Sequence, residues 1–281
     1  MPLPPFSMLK CSLCIHDERT AKIDVVDGKP LCRECQVYLK HPIDRNAIRR
    51  ELEELMEKVD RAIIAYSGGK DSVVALYLAK EVYGVKELEA VMVDHGLMAE
   101  EAIENARRIA EHLGVPFRVL RYDYSDIFRE ALLKAQSPCR ACSRRTMEKL
   151  RKYALKNGYK YIITGHELPF GHHPYRVMKG GVIQVRLLSL MPERERLEIL
   201  KGLPFEFPEL PGYTTNCLVL GPALERYWEV NGHSFEHRRI AALVRYGLMD
   251  REKAEREVAR PEVPEEQKKI VFERLGLESL P

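Results

Sequence analysis

The hexapeptide Ser67-Gly68-Gly69-Lys70-Asp71-Ser72 lies between two apolar runs, residues 62–66 and 73–78. A glycine pair placed between a strand-like run and a helix-like run leaves the backbone few options. The segment reads as strand, tight turn and helix start. Glycine there lets the chain approach a ligand closely, and the first free N–H groups of the helix point at an anion. Lys70 adds a positive charge, while Ser67 and Ser72 add hydroxyls. The pattern differs from G-x-x-x-x-G-K-[ST], because this lysine directly follows the glycine pair and precedes Asp71. An ordinary strand-to-helix turn is the bland alternative, but the six residues together point to a phosphate cradle.

Strand-like and helix-like segments alternate from residue 60 to about 164. Candidate strands cover 61–66, 90–94, 117–122 and 161–164, and the helices between them include 99–113 and 143–157. Such alternation predicts a parallel sheet covered on both faces, with ligands gathered beyond the carboxyl ends of the strands. Ser67 follows the first strand, Asp94-His95-Gly96-Leu97 ends the second, and Gly165-His166 follows the fourth. A chain of 281 residues with 45% hydrophobic composition can build the core this needs. The 31% charged fraction leans toward a thermophile's composition. A net charge of +3 is too small to demand a nucleic-acid partner. No apolar run approaches the ~18 residues of a membrane span, and the start of the chain has no signal-peptide pattern. No membrane association and a cytoplasmic location are therefore expected.

The cysteines divide the chain further. Cys11-x-x-Cys14 and Cys32-x-x-Cys35, seventeen residues apart, have the spacing of a four-cysteine Zn²⁺ site. A lobe this small cannot fold on its own core, so a metal is expected to hold it; two disulfides are the alternative. A charged stretch from Asp44 to Lys58, apolar at Ile48, Leu52, Leu55 and Met56, reads as a connecting helix. The expected divisions are 1–40 for a zinc ribbon or knuckle, 41–58 for that helix, 59–190 for the nucleotide domain and 191–281 for a mostly helical region.

Ser137-Pro138-Cys139-Arg140-Ala141-Cys142 reads as a helix start, with Ser137 as N-cap and Pro138 first in the helix. Cys139 and Cys142 then share a face near the positive end of the dipole, a place that favours thiolates. Arg140, Arg144 and Arg145 push the same way. The pair is open to several uses: metal binding, persulfide or redox chemistry, or a second zinc site. Cys217 is either their third partner or a small buried hydrophobe. Arg144, Arg145, Lys149, Arg151, Lys152, Lys156 and Lys160 form a basic run beside the pair. They suit phosphate contacts to RNA or simply a solvated helix face.

The hexapeptide, together with Asp94-His95-Gly96-Leu97 after an apolar strand, resembles the signature of the PP-loop ATP pyrophosphatase superfamily. That resemblance implies an α/β fold, a parallel-sheet PP-loop (HUP-like adenine nucleotide hydrolase) domain flanked by the zinc ribbon and the helical extension. It implies ATP held by Ser67, Gly68, Gly69, Lys70 and Ser72, with Asp71 capping the helix or supporting Mg²⁺. Asp94, His95, Gly165 and His166 would border the adenosine. The Cys139/Cys142 pair plus remote Cys217 resembles the iron–sulfur-dependent tRNA 2-thiouridine and 2-thiocytidine synthetases. It implies a [4Fe-4S] cluster on those three cysteines, with Lys70 and the cysteines as catalytic residues. The partners would be tRNA and a sulfur donor, either sulfide or a sulfur-carrier protein. A homodimer is compatible.

The chain departs from those enzymes after the fourth strand, where they carry G-H-N-x-D-D. Here Gly165-His166-Glu167-Leu168-Pro169-Phe170 lacks both aspartates, with Glu167 as the nearest substitute. Thr146 stands where a basic residue is expected after the second cysteine. His172 and His173 follow in place of the missing motif, either as an acid/base pair or as an exposed loop. These departures imply a divergent subfamily. A fainter resemblance of 214–217 and 247–254 to PP-loop amidotransferases keeps ammonia in view as nucleophile, and related cluster chemistry would also serve a desulfidase. A zinc-ribbon RNA-binding module with a regulatory nucleotide domain is the non-enzymatic alternative.

Overall fold

The computed structural model describes residues 8–207 and 216–278. The core is a six-stranded sheet in the order β5-β4-β3-β6-β8-β7. Its strands are β3 (Arg61–Ala65), β4 (Glu87–Asp94), β5 (Phe117–Arg121), β6 (Tyr161–Thr164), β7 (Tyr175–Val177) and β8 (Ile183–Arg186). All neighbours run parallel except the edge strand β7, which pairs antiparallel with β8. A hairpin, β1 (Ile23–Val26) and β2 (Lys29–Cys32), stands apart in the N-terminal lobe.

Strand alternation divides the hydrophobic residues between two faces. Ala62, Ile64, Ala90, Met92 and Ile163 pack on one face with Leu52 and Met56 of α2 (Arg45–Met56), Val73 and Leu76 of α3 (Lys70–Tyr77), and Ala106 and Ile109 of α4 (Glu100–His112). Ile63, Val91, Val93 and Ile162 pack on the other. Their neighbours are Phe128 and Leu132 of α5 (Ser125–Leu133) and Met147 and Leu150 of α6 (Cys139–Lys156). Ile63 and Ile64 are both fully buried, each contributing about 1.5–3 kcal/mol. This is the doubly covered parallel sheet that the run of apolar strands requires.

A third core joins the N-terminal lobe to the end of the chain. The four lobe cysteines, Ile15 and Leu31 share it with Ile240, Ala241 and Leu243 of α9 (His237–Arg245) and with Ala254 of α10 (Arg251–Glu257). The remaining helices are α1 (Arg33–Lys40), α7 (Glu193–Lys201), α8 (Leu220–Asn231) and α11 (Glu265–Leu275).

Several local expectations change. The long helix begins at Cys139, with Pro138 at the cap position and no side-chain cap bond. Ser137 instead hydrogen-bonds the Cys139 thiol. α3 runs into a π-helical turn, Leu78–Val82. β7, only three residues long, has no apolar pattern of its own. The loop residues expected around 212–215 lie outside the described residues.

Candidate functional site

The strand, glycine turn and helix start form where the sequence places them, at the carboxyl end of the central strand β3. Gly68 adopts φ +74°, and a Cβ there would sit 2.6 Å from the Ala106 Cβ. Gly69 caps α3 with extended backbone. Ser72 Oγ donates to the Gly69 carbonyl at 2.8 Å and accepts from the Ser67 N–H at 3.3 Å, so this hydroxyl shapes the loop itself. Lys70 is exposed and, among the described residues, forms no ion pair.

The turns after β4 and β6 close the site. Gly96 N–H donates to Asp94 Oδ1 at 2.9 Å, forming a tight Asx turn. His95 points inward, its ring 4.9 Å from the Phe128 ring, and burial holds its pKa to about 4. Its side chain therefore braces the turn from within the core. Gly165 approaches α3 so closely that a Cβ would meet the Asp71 carbonyl oxygen at 2.7 Å. His166, next to it, is exposed at the protein surface; crowding by neighbouring protein atoms, with Arg186 adding, lowers its pKa.

Charged residues from distant segments surround Asp71. Arg196 of α7 is buried and lies 3.3 Å from Asp71 Oδ1. Burial lifts the Asp71 carboxyl to about 6; Arg196 opposes that rise and Glu167 adds to it. Glu167, itself buried, accepts from Arg239 Nη1 at 3.0 Å. The sequence offered Glu167 as a substitute for the missing aspartates and gave no reason to single out Arg196 or Arg239.

Cys217 comes to the cysteine pair through the turn after β4. It bridges Met98, the Leu218 N–H donates to the Leu97 carbonyl at 3.0 Å, and the Ala99 N–H donates to the Asn216 carbonyl at 3.0 Å. Asn216 Nδ2 also donates to the Ser67 carbonyl, tying this loop to the cradle. Cys139, Cys142 and Cys217 are all partly accessible and within electrostatic reach: Cys217 and Cys142 both act on the Cys139 thiol, and Cys142 acts on Cys217. The expected thiolate bias is overturned. Burial raises all three thiols, that of Cys217 to about 12, and outweighs the helix end. Arg145, one of the cations expected to help, is held in a bidentate pair with Asp126 at 2.7 Å.

The N-terminal lobe holds a tighter set. The sulfurs of Cys11, Cys14, Cys32 and Cys35 all lie within 4.8 Å of one another, and all four residues are buried. Cys14 and Cys32 sulfurs are 3.7 Å apart, too far for a disulfide, and no cysteine is paired covalently. Four sulfurs about 2.3 Å from one ion would stand about 3.8 Å apart, so the set fits a single tetrahedral metal. Their mutual hydrogen bond pushes the Cys14 thiol up and pulls that of Cys32 down. The hairpin turns through Asp27 and Gly28, both with positive φ, as an Asp-Gly pair does.

Other candidates are placed less centrally. His172 and His173 are exposed, and His173 Nδ1 lies 2.9 Å from Glu51 of α2. Part of the basic run is committed within the protein: Arg151 to Glu148 and the Lys179 carbonyl, Lys152 to Glu148, and Lys149 over the Tyr122 ring. Arg144 and Lys156 form no ion pair among the described residues. Among these residues no helix is long and apolar enough to cross a membrane.

An open, mainly parallel sheet with a glycine-lysine turn at the end of its central strand defines an α/β fold whose ligands gather at the carboxyl ends of the strands. Residues 42–169 match the PP-loop domain family, so the chain contains a PP-loop domain. It is 46% identical over 266 residues to an uncharacterized protein of Methanocaldococcus jannaschii, covering 92% of this chain and 96% of the relative. It is 29% identical over 163 residues to the tRNA-5-methyluridine(54) 2-sulfurtransferase of Pyrococcus horikoshii, covering 57% of this chain and 51% of that enzyme. A solved structure, the U34-tRNA thiolase NcsA from Methanococcus maripaludis with its [4Fe-4S] cluster, aligns over 88% of this chain and 87% of its own. The identity there is 18% and the TM-score 0.48.

Proposed function

We propose that this chain is an ATP-dependent tRNA thiolase. The observation that carries the reading is Asn216-Cys217: one residue is bonded to the phosphate cradle, and the next faces the cysteine pair. Nucleotide and sulfur chemistry would then meet in one cleft. The sequence likeness to a tRNA sulfurtransferase over part of its length supports the substrate class.

In this reading the backbone N–H groups of Gly68 and Gly69, with Lys70, hold the phosphates of ATP, and Ser67 and Ser72 keep the loop in shape. Asp71 faces a phosphate-bound Mg²⁺, with Arg196 fixing its carboxylate. Asp94 and the Gly165-His166 turn border the adenosine, and His166 stays neutral there. A base carbonyl oxygen attacks the α-phosphorus, pyrophosphate leaves, and the oxygen becomes part of an AMP leaving group. Sulfur then takes its place on the carbon as AMP departs.

Cys139, Cys142 and Cys217 would hold a [4Fe-4S] cluster. Three partly accessible thiols within electrostatic reach of one another are the donor type such a group takes. When bound, it supplies an iron with a free position on which sulfur can be carried. Cys11, Cys14, Cys32 and Cys35 would hold Zn²⁺ as the structural metal of the 1–40 lobe. We divide the rest into the 41–58 helix, the 59–190 catalytic domain and the 191–281 helical region.

The test measures AMP and pyrophosphate formed from ATP with and without tRNA, in wild type and Lys70→Ala. AMP formation that requires tRNA and disappears in the variant is the expected result. AMP formation that needs ammonia and ignores tRNA would replace this reading with an amidotransferase. Unchanged turnover in Lys70→Ala would remove the cradle from the chemistry.

A further inference from the structure

The four-cysteine site has a cation in direct contact with its sulfurs. Arg245, at the C-terminal end of α9, donates from Nε to Cys35 Sγ at 3.2 Å, and its Nη2 reaches Cys32 Sγ at 3.9 Å. Elsewhere the C-terminal helices reach the lobe through an ion pair of Glu255 with Lys10 at 3.8 Å and through hydrogen bonds to backbone. Arg251 Nη2 donates to the carbonyls of Cys11 and Ser12 at 3.1 and 2.9 Å, and His237 Nε2 donates to that of Ile15 at 3.1 Å. Four thiolates around a divalent cation carry a net charge of −2, which is costly to bury without compensation. A guanidinium remains charged and can donate to two acceptors from one rigid plane. The Cys32 N–H donates to Cys11 Sγ at 3.4 Å, so charge compensation by hydrogen bonding is already part of the site.

We propose that Arg245 is the positioning residue of the four-cysteine metal site. It orients Cys32 and Cys35 and neutralises part of the metal–thiolate charge, making the lobe's metal affinity depend on a helix 210 residues further along the chain. The inference rests on the metal reading above. Partners of this kind around a metal's ligands are typically worth 10–100-fold in affinity.

The test titrates full-length protein with zinc against a chromophoric chelator, comparing wild type with Arg245→Ala, Arg245→Lys and Arg251→Ala. Arg245→Ala should weaken zinc binding by about 10–100-fold. Arg245→Lys should restore part of the loss, because a point charge cannot span both sulfurs. Arg251→Ala, which touches only carbonyls, should stay close to wild type. With Co²⁺ in the site, the thiolate-to-metal charge-transfer band should move to longer wavelength in Arg245→Ala, since losing an N–H···S bond raises the donor level of sulfur. If Arg245→Ala does not fold, Arg245→Lys carries the comparison. Equal affinities and an unmoved band would overturn the role of Arg245 while leaving the metal site intact. A wild type that takes up neither metal would overturn both.

Discussion

Asp71 and Arg196 lie 3.3 Å apart at the start of α3, joining the glycine-lysine turn to a helix more than a hundred residues downstream. Arg196 is buried and Asp71 half-exposed, so the pair is anchored from the arginine side. The Asp71 carboxyl is nevertheless raised to about 6, because burial outweighs the neighbouring cation.

That balance sets a pH dependence. A carboxyl whose folded pKa exceeds its unfolded value binds more protons when folded, so its contribution to stability declines as pH rises from about 4 to about 6. Asp71→Asn should flatten this decline, which denaturant titrations at pH 4.5 and 7 would detect. Replacing Arg196 with Met, which keeps the bulk and removes the charge, should move the acid limb of AMP formation to higher pH. An unmoved limb would show that Asp71 ionisation does not govern turnover.

Gly165 is a packing requirement as much as a site residue. Alanine there would press its Cβ to 2.7 Å from the Asp71 carbonyl oxygen, and backbone on both sides leaves little room to yield. Gly165→Ala should cost about 1–3 kcal/mol and weaken ATP binding in parallel. Thermal melts and nucleotide titration on the same preparation would check this. Normal stability with normal ATP binding would mean that β6 and α3 can separate freely.

Metal removal should act on the lobe and on the C-terminal helices together. The cysteines share a core with Ile240, Leu243 and Ala254, so chelation should loosen α9 and α10 along with the hairpin. Hydrogen exchange before and after chelation is the measurement. Faster exchange confined to residues 8–40 would contradict the shared core.

Cys217→Ala should abolish iron uptake on anaerobic reconstitution while leaving zinc at wild-type content. The expectation follows from its place beside Cys139 and Cys142 and its distance in sequence from the lobe cysteines. Full iron uptake by the variant would remove Cys217 from the set.

Much of the frame was legible because its signals are local. The glycine-lysine hexapeptide, the apolar parallel strands and the two C-x-x-C pairs each announce themselves within a few residues. What escaped reading depends on tertiary approach. Arg196, Arg239 and Arg245 look like ordinary helix-surface cations until the fold brings them to Asp71, Glu167 and Cys35. Asn216 stood beside a recognised cysteine, but its bond to Ser67 spans 149 positions. The helix end alone predicts acidic thiols at the Cys139 pair, and burial, invisible in sequence, reverses the direction. The motif around His95 likewise points to the ligand, while the fold packs its ring against Phe128.

The most direct measurement is mass spectrometry of nucleosides from unmodified tRNA incubated anaerobically with the reconstituted protein, ATP and sulfide. A thiolated nucleoside that forms together with AMP, and is lost in both Lys70→Ala and Cys217→Ala, is the expected result. AMP release with no sulfur entering the tRNA would contradict the proposed function, as would sulfur leaving a tRNA that was already thiolated.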